Sequence, residues 1–141
     1  MTIAELQKYL ADRLNAVEAL AQGGCRAFAE DTREVYDEAN QWASGGKVAI
    51  VVVTPDLDRA GSGSEEGLPF EGDLLVRCIE RAPLSREDPS VLRALDAAET
   101  VAHALDGETF EWRSIRQTVE PRTNTITATV TFGYDGILTQ P

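Results

Sequence analysis

The run Val48-Ala49-Ile50-Val51-Val52-Val53 constrains this chain more than any other segment. β-Branched residues lose side-chain freedom in a helix and pack well on a pleated surface, so the run reads as a strand. Successive side chains of a strand point to opposite faces, and here every position is apolar. Both faces must then be covered, which places the strand, over residues 47–54, in the interior of a sheet. Gly45-Gly46 precedes it and Pro55 ends it.

Helical and extended segments follow one another around this strand. Ile3, Leu6, Leu10, Leu14, Val17 and Leu20 recur at spacings of three and four, which predicts one helix over residues 2–22. Thr2 and Glu5 stand at capping-box spacing, and Gly23-Gly24 supplies a stop. Residues 25–29 fit a short edge strand. Asp31 and Glu34 repeat the capping spacing ahead of Val35, Ala39 and Trp42, which predict a second helix. Residues 70–80 predict another strand, with Leu74, Val76 and Cys78 on one face and Leu75 and Ile79 on the other. Asp88 and Pro89 suit an N-cap and first helical position, and Val91, Leu95, Ala98, Ala102 and Leu105 give the third helix its apolar stripe. A strand over residues 109–119 comes next, around Phe110, Trp112 and Ile115. Over residues 123–132, threonines at 123, 125, 127, 129 and 131 alternate with Ile126, Ala128, Val130 and Phe132. That is a half-buried strand with a threonine face, joined to the strand before it through Glu120-Pro121-Arg122 as a hairpin.

This order predicts an α+β fold, with a mainly antiparallel sheet of four or five strands and helices packed on one face. The 141 residues fit one domain, 1–141, able to bury roughly two-thirds of its unfolded surface without a disulfide or metal. Residues 55–69 hold three glycines, two prolines and two serines and no hydrophobic period, which predicts a long, flexible, acidic loop. Cys25 and Cys78 have no CxxC spacing and no histidine nearby, so they read as two buried thiols, with a bridge between them as the alternative.

Charge narrows the function. Thirteen basic against twenty-four acidic residues leave a formal charge of −11. Such a field repels phosphate backbones and anionic bilayers, which argues against sequence-specific nucleic-acid binding and against a membrane partner. Glu5, Lys8, Asp12, Arg13 and Glu18 interrupt the first helix, leaving no signal-peptide core, so a cytoplasmic chain is expected.

The sharpest enzymatic lead is Asp56-Leu57-Asp58, two carboxylates just after an apolar strand, as in phosphotransferases that hold Mg²⁺. Thr54-Pro55 separates the strand from the first aspartate, and no supporting threonine follows at the usual offset. Solvated acids in an acidic loop are the plainer reading. Gly61-Ser62-Gly63-Ser64 lacks the lysine and helix start of a phosphate loop, and Glu65 and Glu66 follow instead. His103 is the single histidine and lies beside the apolar stripe of its helix, with no metal-binding partner in spacing. Trp42, Trp112 and Tyr134 could stack on a ligand, but Trp42 sits on a helical stripe and Trp112 also reads as a packing residue, while Tyr134, beyond the final strand, could anchor an interface. No catalytic residue, cofactor or metal ligand is expected.

The organisation resembles that of tail-completion, or tail-terminator, proteins of tailed bacteriophages. The stretches that carry the resemblance are the N-terminal helix, CRAFAEDTREVYDEANQWASGGKVAIVVVTP, LLVRCIERAPLS, DPSVLRALDAAETVAHAL and TITATVTF. The resemblance implies a homo-oligomeric ring, commonly of six copies, that caps the tail tube and joins it to the head. Its partners would be further copies of itself, the tail-tube protein and the head-connector protein. It would assemble in the bacterial cytoplasm and end in the virion tail, with DNA passing an acidic lumen. On this reading the assembly or lumen surface comprises Asp56, Asp58, Glu65, Glu66, Phe70, Glu71 and Tyr134. The alternatives are a small metal-dependent phosphotransfer or hydrolase enzyme using Asp56 and Asp58, and a generic α+β adaptor module.

Overall fold

The computed structural model describes residues 2–30, 34–81 and 92–139. Helices α1 (Ile3–Asn15) and α2 (Glu18–Gln22) lead into strand β1 (Cys25–Ala29), helix α3 (Val35–Ser44) and strand β2 (Val48–Val52). Strands β3 (Asp56–Arg59) and β4 (Leu68–Arg81), helix α4 (Ala94–Leu105) and strands β5 (Phe110–Glu120) and β6 (Thr125–Leu138) follow. The path across the sheet is β1-β2-β4-β6-β5, and β3 also pairs with β4. β1 and β2 are parallel, with α3 as their crossover, and the other pairs are antiparallel. The fold is α+β with a mainly antiparallel sheet, as the sequence predicts.

β2 holds the position its composition demands. All five of its residues are at most 1% exposed. Val48, Ile50 and Val52 enter the larger core, under Leu6, Leu10 and Leu14 of α1, Leu20 of α2 and Ala98 and Val101 of α4. Ala49 and Val51 point the other way and meet Val35, Ala39 and Ala43 of α3. Three helices thus share one face as expected, while α3 covers the second face, because the parallel β1–β2 step needs a crossover and an all-apolar strand needs a lid on each side. The sheet has six strands rather than four or five, since Asp56–Arg59 adds to β4.

The helix predicted over residues 2–22 is broken. Thr2 caps α1 as expected, accepting from the Glu5 amide at 3.2 Å and donating to its carboxylate at 3.2 Å. Val17 then adopts extended geometry (φ −74°, ψ 112°). The tertiary reason lies at Asn15, whose amide accepts from Ala27 N at 2.8 Å and donates to Ala27 O at 3.0 Å. β1 is the sheet edge, and this side chain occupies backbone groups that would otherwise template another strand. Gln7 is buried on the same helix and donates to Val52 O at 3.2 Å.

Glu80 is 1% exposed and accepts from Arg93 Nε at 3.2 Å and from Ala94 N at 3.2 Å. A carboxylate at a helix N-terminus satisfies a donor that the helix cannot pair itself and suits the local positive dipole. It therefore caps α4. Asp88, Pro89 and Val91, along with Asp31, lie outside the described residues. Leu95, expected on the stripe of this helix, is 41% exposed, and the buried face is Ala94, Ala97, Ala98, Val101, Ala102 and Leu105. Small residues let the helix sit close to the sheet.

Cys25 and Cys78 are both buried and free. β2 runs between their strands, and Cys25 lies opposite Val48 while Cys78 lies opposite Ile50, so two strand spacings and two residues along the strand, roughly 11–12 Å in all, put them beyond disulfide reach. Burial pushes the Cys25 thiol from 9.0 up to about 12, and burial, with a smaller contribution from Cys25, also raises Cys78. A folded pKa above the unfolded one adds stability that is complete below the unfolded value and is lost as pH climbs through the folded value. Alkaline destabilisation is therefore expected from pH 9 towards 12. At pH 8 a chromogenic disulfide reagent should leave the native protein unreacted and titrate both thiols after unfolding; rapid reaction of the native thiols would refute this placement. Glu80→Ala should lower stability by about 2–3 kcal/mol in urea titration, because it uncaps α4 and strands Arg93. A loss under 0.5 kcal/mol, on the order of an ordinary surface change, would mean the carboxylate is not a cap.

Candidate assembly surface

β4 and β6 pair without a break from Leu68↔Leu138 to Arg81↔Thr125. Their halves beyond Leu74 and Phe132 exchange β2 for β3 as the neighbour of β4. Pro55 marks the change, since it lacks the N–H needed to continue a ladder. The result is a three-stranded ribbon of β3, β4 and β6 that extends the sheet.

This pairing shortens the loop expected over residues 55–69 to residues 60–67. Asp56–Arg59 is a strand, and Ser64 and Gly67 exchange backbone hydrogen bonds of 2.9 and 3.1 Å at the hairpin tip. Two glycines make it possible. A Cβ at Gly72 would lie 1.9 Å from Asp56 O, so only glycine lets β3 approach. Gly67 has φ 135°, and a Cβ there would lie 2.2 Å from Leu138 O.

Register sorts the expected residues onto two faces. Asp56 lies opposite Asp73, Asp58 opposite Glu71, and Glu71 opposite Asp135. Cross-strand partners share a face, so these carboxylates form one patch, all of them exposed. Phe70 and Tyr134 lie on the other face. Their rings are 5.0 Å apart edge to face, Tyr134 is 4.8 Å from Phe110, and Phe110 is 6.5 Å from the fully buried Phe132. Tyr134 is thus half-buried and ties the ribbon to the core, with burial raising its hydroxyl pKa. Glu65 and Glu66 form the hairpin tip, apart from both groups.

Sequence reasoning missed Asp135, Glu111 and Arg113, which line a polar concavity of about 420 Å³ with Asp58, Glu71 and Asp73. The last strand, expected over residues 123–132, runs on to Leu138 and so brings in Asp135, and a β-bulge between Trp112 and Ser114 breaks the alternation that would have placed Arg113. The same bulge leaves Trp112 47% exposed beside His103 and Ile115, in a groove of about 350 Å³ between α4 and β5. Asp106 accepts from Trp112 N at 2.9 Å and holds the bulge. Trp42 packs on the α3 side of the core, donates to Val48 O at 3.0 Å and carries Lys47 Nζ 4.1 Å above its ring.

Among the described residues, no three His, Cys, Asp or Glu side chains converge to hold a metal ion. Asp56 and Asp58 project side by side from one strand face into solvent. What the ribbon offers is a charged face on a rigid backbone and an aromatic seam behind it. Among the described residues, no helix is long and apolar enough to cross a membrane.

No protein-family model and no curated protein matches the sequence. The fold is similar to that of a chain in the solved virion of a native gene transfer agent particle, with a TM-score of 0.59 and 14% sequence identity over 92% of each chain.

Gly72→Ala should displace β3 from β4. Hydrogen exchange at residues 56–59 is expected to accelerate by roughly tenfold or more, with the β4–β6 amides unchanged. Equal protection in the variant would show that the close approach at Gly72 is not what admits β3.

Proposed function

We propose that this chain is a virion morphogenesis protein of the tail-terminator kind. Copies close into a ring on the end of a tail tube, stop its polymerisation and present the surface that joins the head. The observation that carries this reading is the fold shared, over 92% of both chains, with a chain of a gene transfer agent virion. The ribbon adds a physical argument. It gives the chain a surface that is charged, exposed and fixed by three paired strands, which is what a protein acting by shape and charge matching needs.

On this reading the activity is binding, and the partners are further copies of the chain, the tail-tube protein and the head connector. Asp56, Asp58, Glu65, Glu66 and Glu71 belong to the assembly or lumen surface, while Phe70 and Tyr134 act from behind by holding it rigid. Carboxylates facing a lumen would let DNA pass by like-charge repulsion, an effect that salt screens within about 8–10 Å.

Tail tubes polymerising in the presence of the purified protein should stop growing, with ring-shaped density at one end by electron microscopy. Tubes that reach their usual lengths with bare ends would overturn the proposal.

A further inference from the structure

The face of the sheet that α3 covers is only partly covered. α3 packs on β1, β2 and β4 through Ala49, Val51 and Ile79. Farther across, the same face carries Thr127, Thr129 and Thr131 of β6, all half-buried, with Arg77 and Arg116 on either side of Thr129 and Arg81 and Glu120 on either side of Thr125. The other helices pack into the core on the opposite side. Among the described residues nothing lies over these threonines and arginines.

Two electrostatic features single this area out. Twenty-four acidic residues outnumber thirteen basic ones in this chain, yet among the described residues the one ion pair is Arg93 with Glu80. Among the described residues Arg77 and Arg116 form no ion pair, though Arg77 stands beside the Tyr36 hydroxyl, which donates to Glu30. The carboxylates lie on the same sheet face, at its far end. There the register sets Asp58 against Glu71, Glu71 against Asp135 and Asp56 against Asp73, with Arg113 as the cation among them. Like charges directly across a ladder destabilise it. One face therefore has a half in which Arg77, Arg81 and Arg116 outnumber Glu120 and a half in which carboxylates outnumber the single Arg113.

We propose that the arginine–threonine half of one subunit receives the carboxylate ribbon of a second copy, head to tail. Each copy uses its two halves on two different neighbours, a heterologous contact that closes into a ring when the rotation allows. The register rests on the ring reading above. A polyanion such as DNA suits the area less well, because the carboxylates on the same face repel it. The threonine hydroxyls supply donors and acceptors for a polar interface between the charges.

Charge reversal tests this in solution. Arg116 and Asp58 are exposed, so Arg116→Glu and Asp58→Arg should fold with unchanged circular dichroism and melting. Each alone should weaken self-association by roughly tenfold in sedimentation velocity at low salt, and mixing the two should restore it, since each altered half then finds its complement. Raising salt to roughly 1 M should weaken the wild type in the same direction. Association unmoved by either reversal, no rescue on mixing, a closed pair instead of larger species, or no self-association in solution and on tubes would each overturn the proposal. DNA binding lost in Arg116→Glu, with association unchanged, would overturn it in favour of a phosphate partner. If the charge-dependent association holds while tubes are never capped, the interface stands and the functional reading fails.

Discussion

Burial of β2 on both faces is the constraint from which the rest of the architecture follows. Its four branched residues and one alanine are sealed to 1% exposure or less. Each buried valine or isoleucine contributes about 1.5–3 kcal/mol, against a net ~1 kcal/mol for a typical hydrogen bond. Apolar burial therefore decides the layering, and polar contacts refine it. One face of the strand recruits α1, α2 and α4, the other recruits α3, and the strand is held between β1 and β4.

The polar contacts act where the layers end. Asn15 closes the outer edge of β1, Gln7 ties α1 to the end of β2, and Glu80 caps α4 from inside the core. Each satisfies backbone groups that helices and edge strands leave unpaired. The distal ribbon is built differently. It has little core of its own and is held by an unbroken ladder, a glycine that admits β3 and an aromatic chain from Phe70 to Phe132. That construction keeps its carboxylates exposed without letting the backbone wander.

Much of this was readable in advance. The strand pattern of β4, the alternating threonines of β6, the Thr2 cap and the α3 stripe all rest on period and on local chemistry. Of the expected surface, Asp56, Asp58 and Glu71 do come together, yet Phe70 and Tyr134 turn to the opposite face, and Glu65 and Glu66 stand at the tip. β3 was illegible because Asp-Leu-Asp-Arg has no strand preference of its own. Its extended form comes from the ladder that β4 offers.

Sequence alone determined which segments are apolar on one face or two, and so determined the fold class, the central place of β2 and the acidic character of the surface. Those properties are local: side-chain shape, period and charge travel with the chain. Tertiary structure decided which strand lies beside which, and hence that carboxylates from β3, β4 and β6 form one patch on the same face as Arg77 and Arg116. Strand register is a contact between residues far apart in the chain, set by the whole core at once, and no local pattern encodes it.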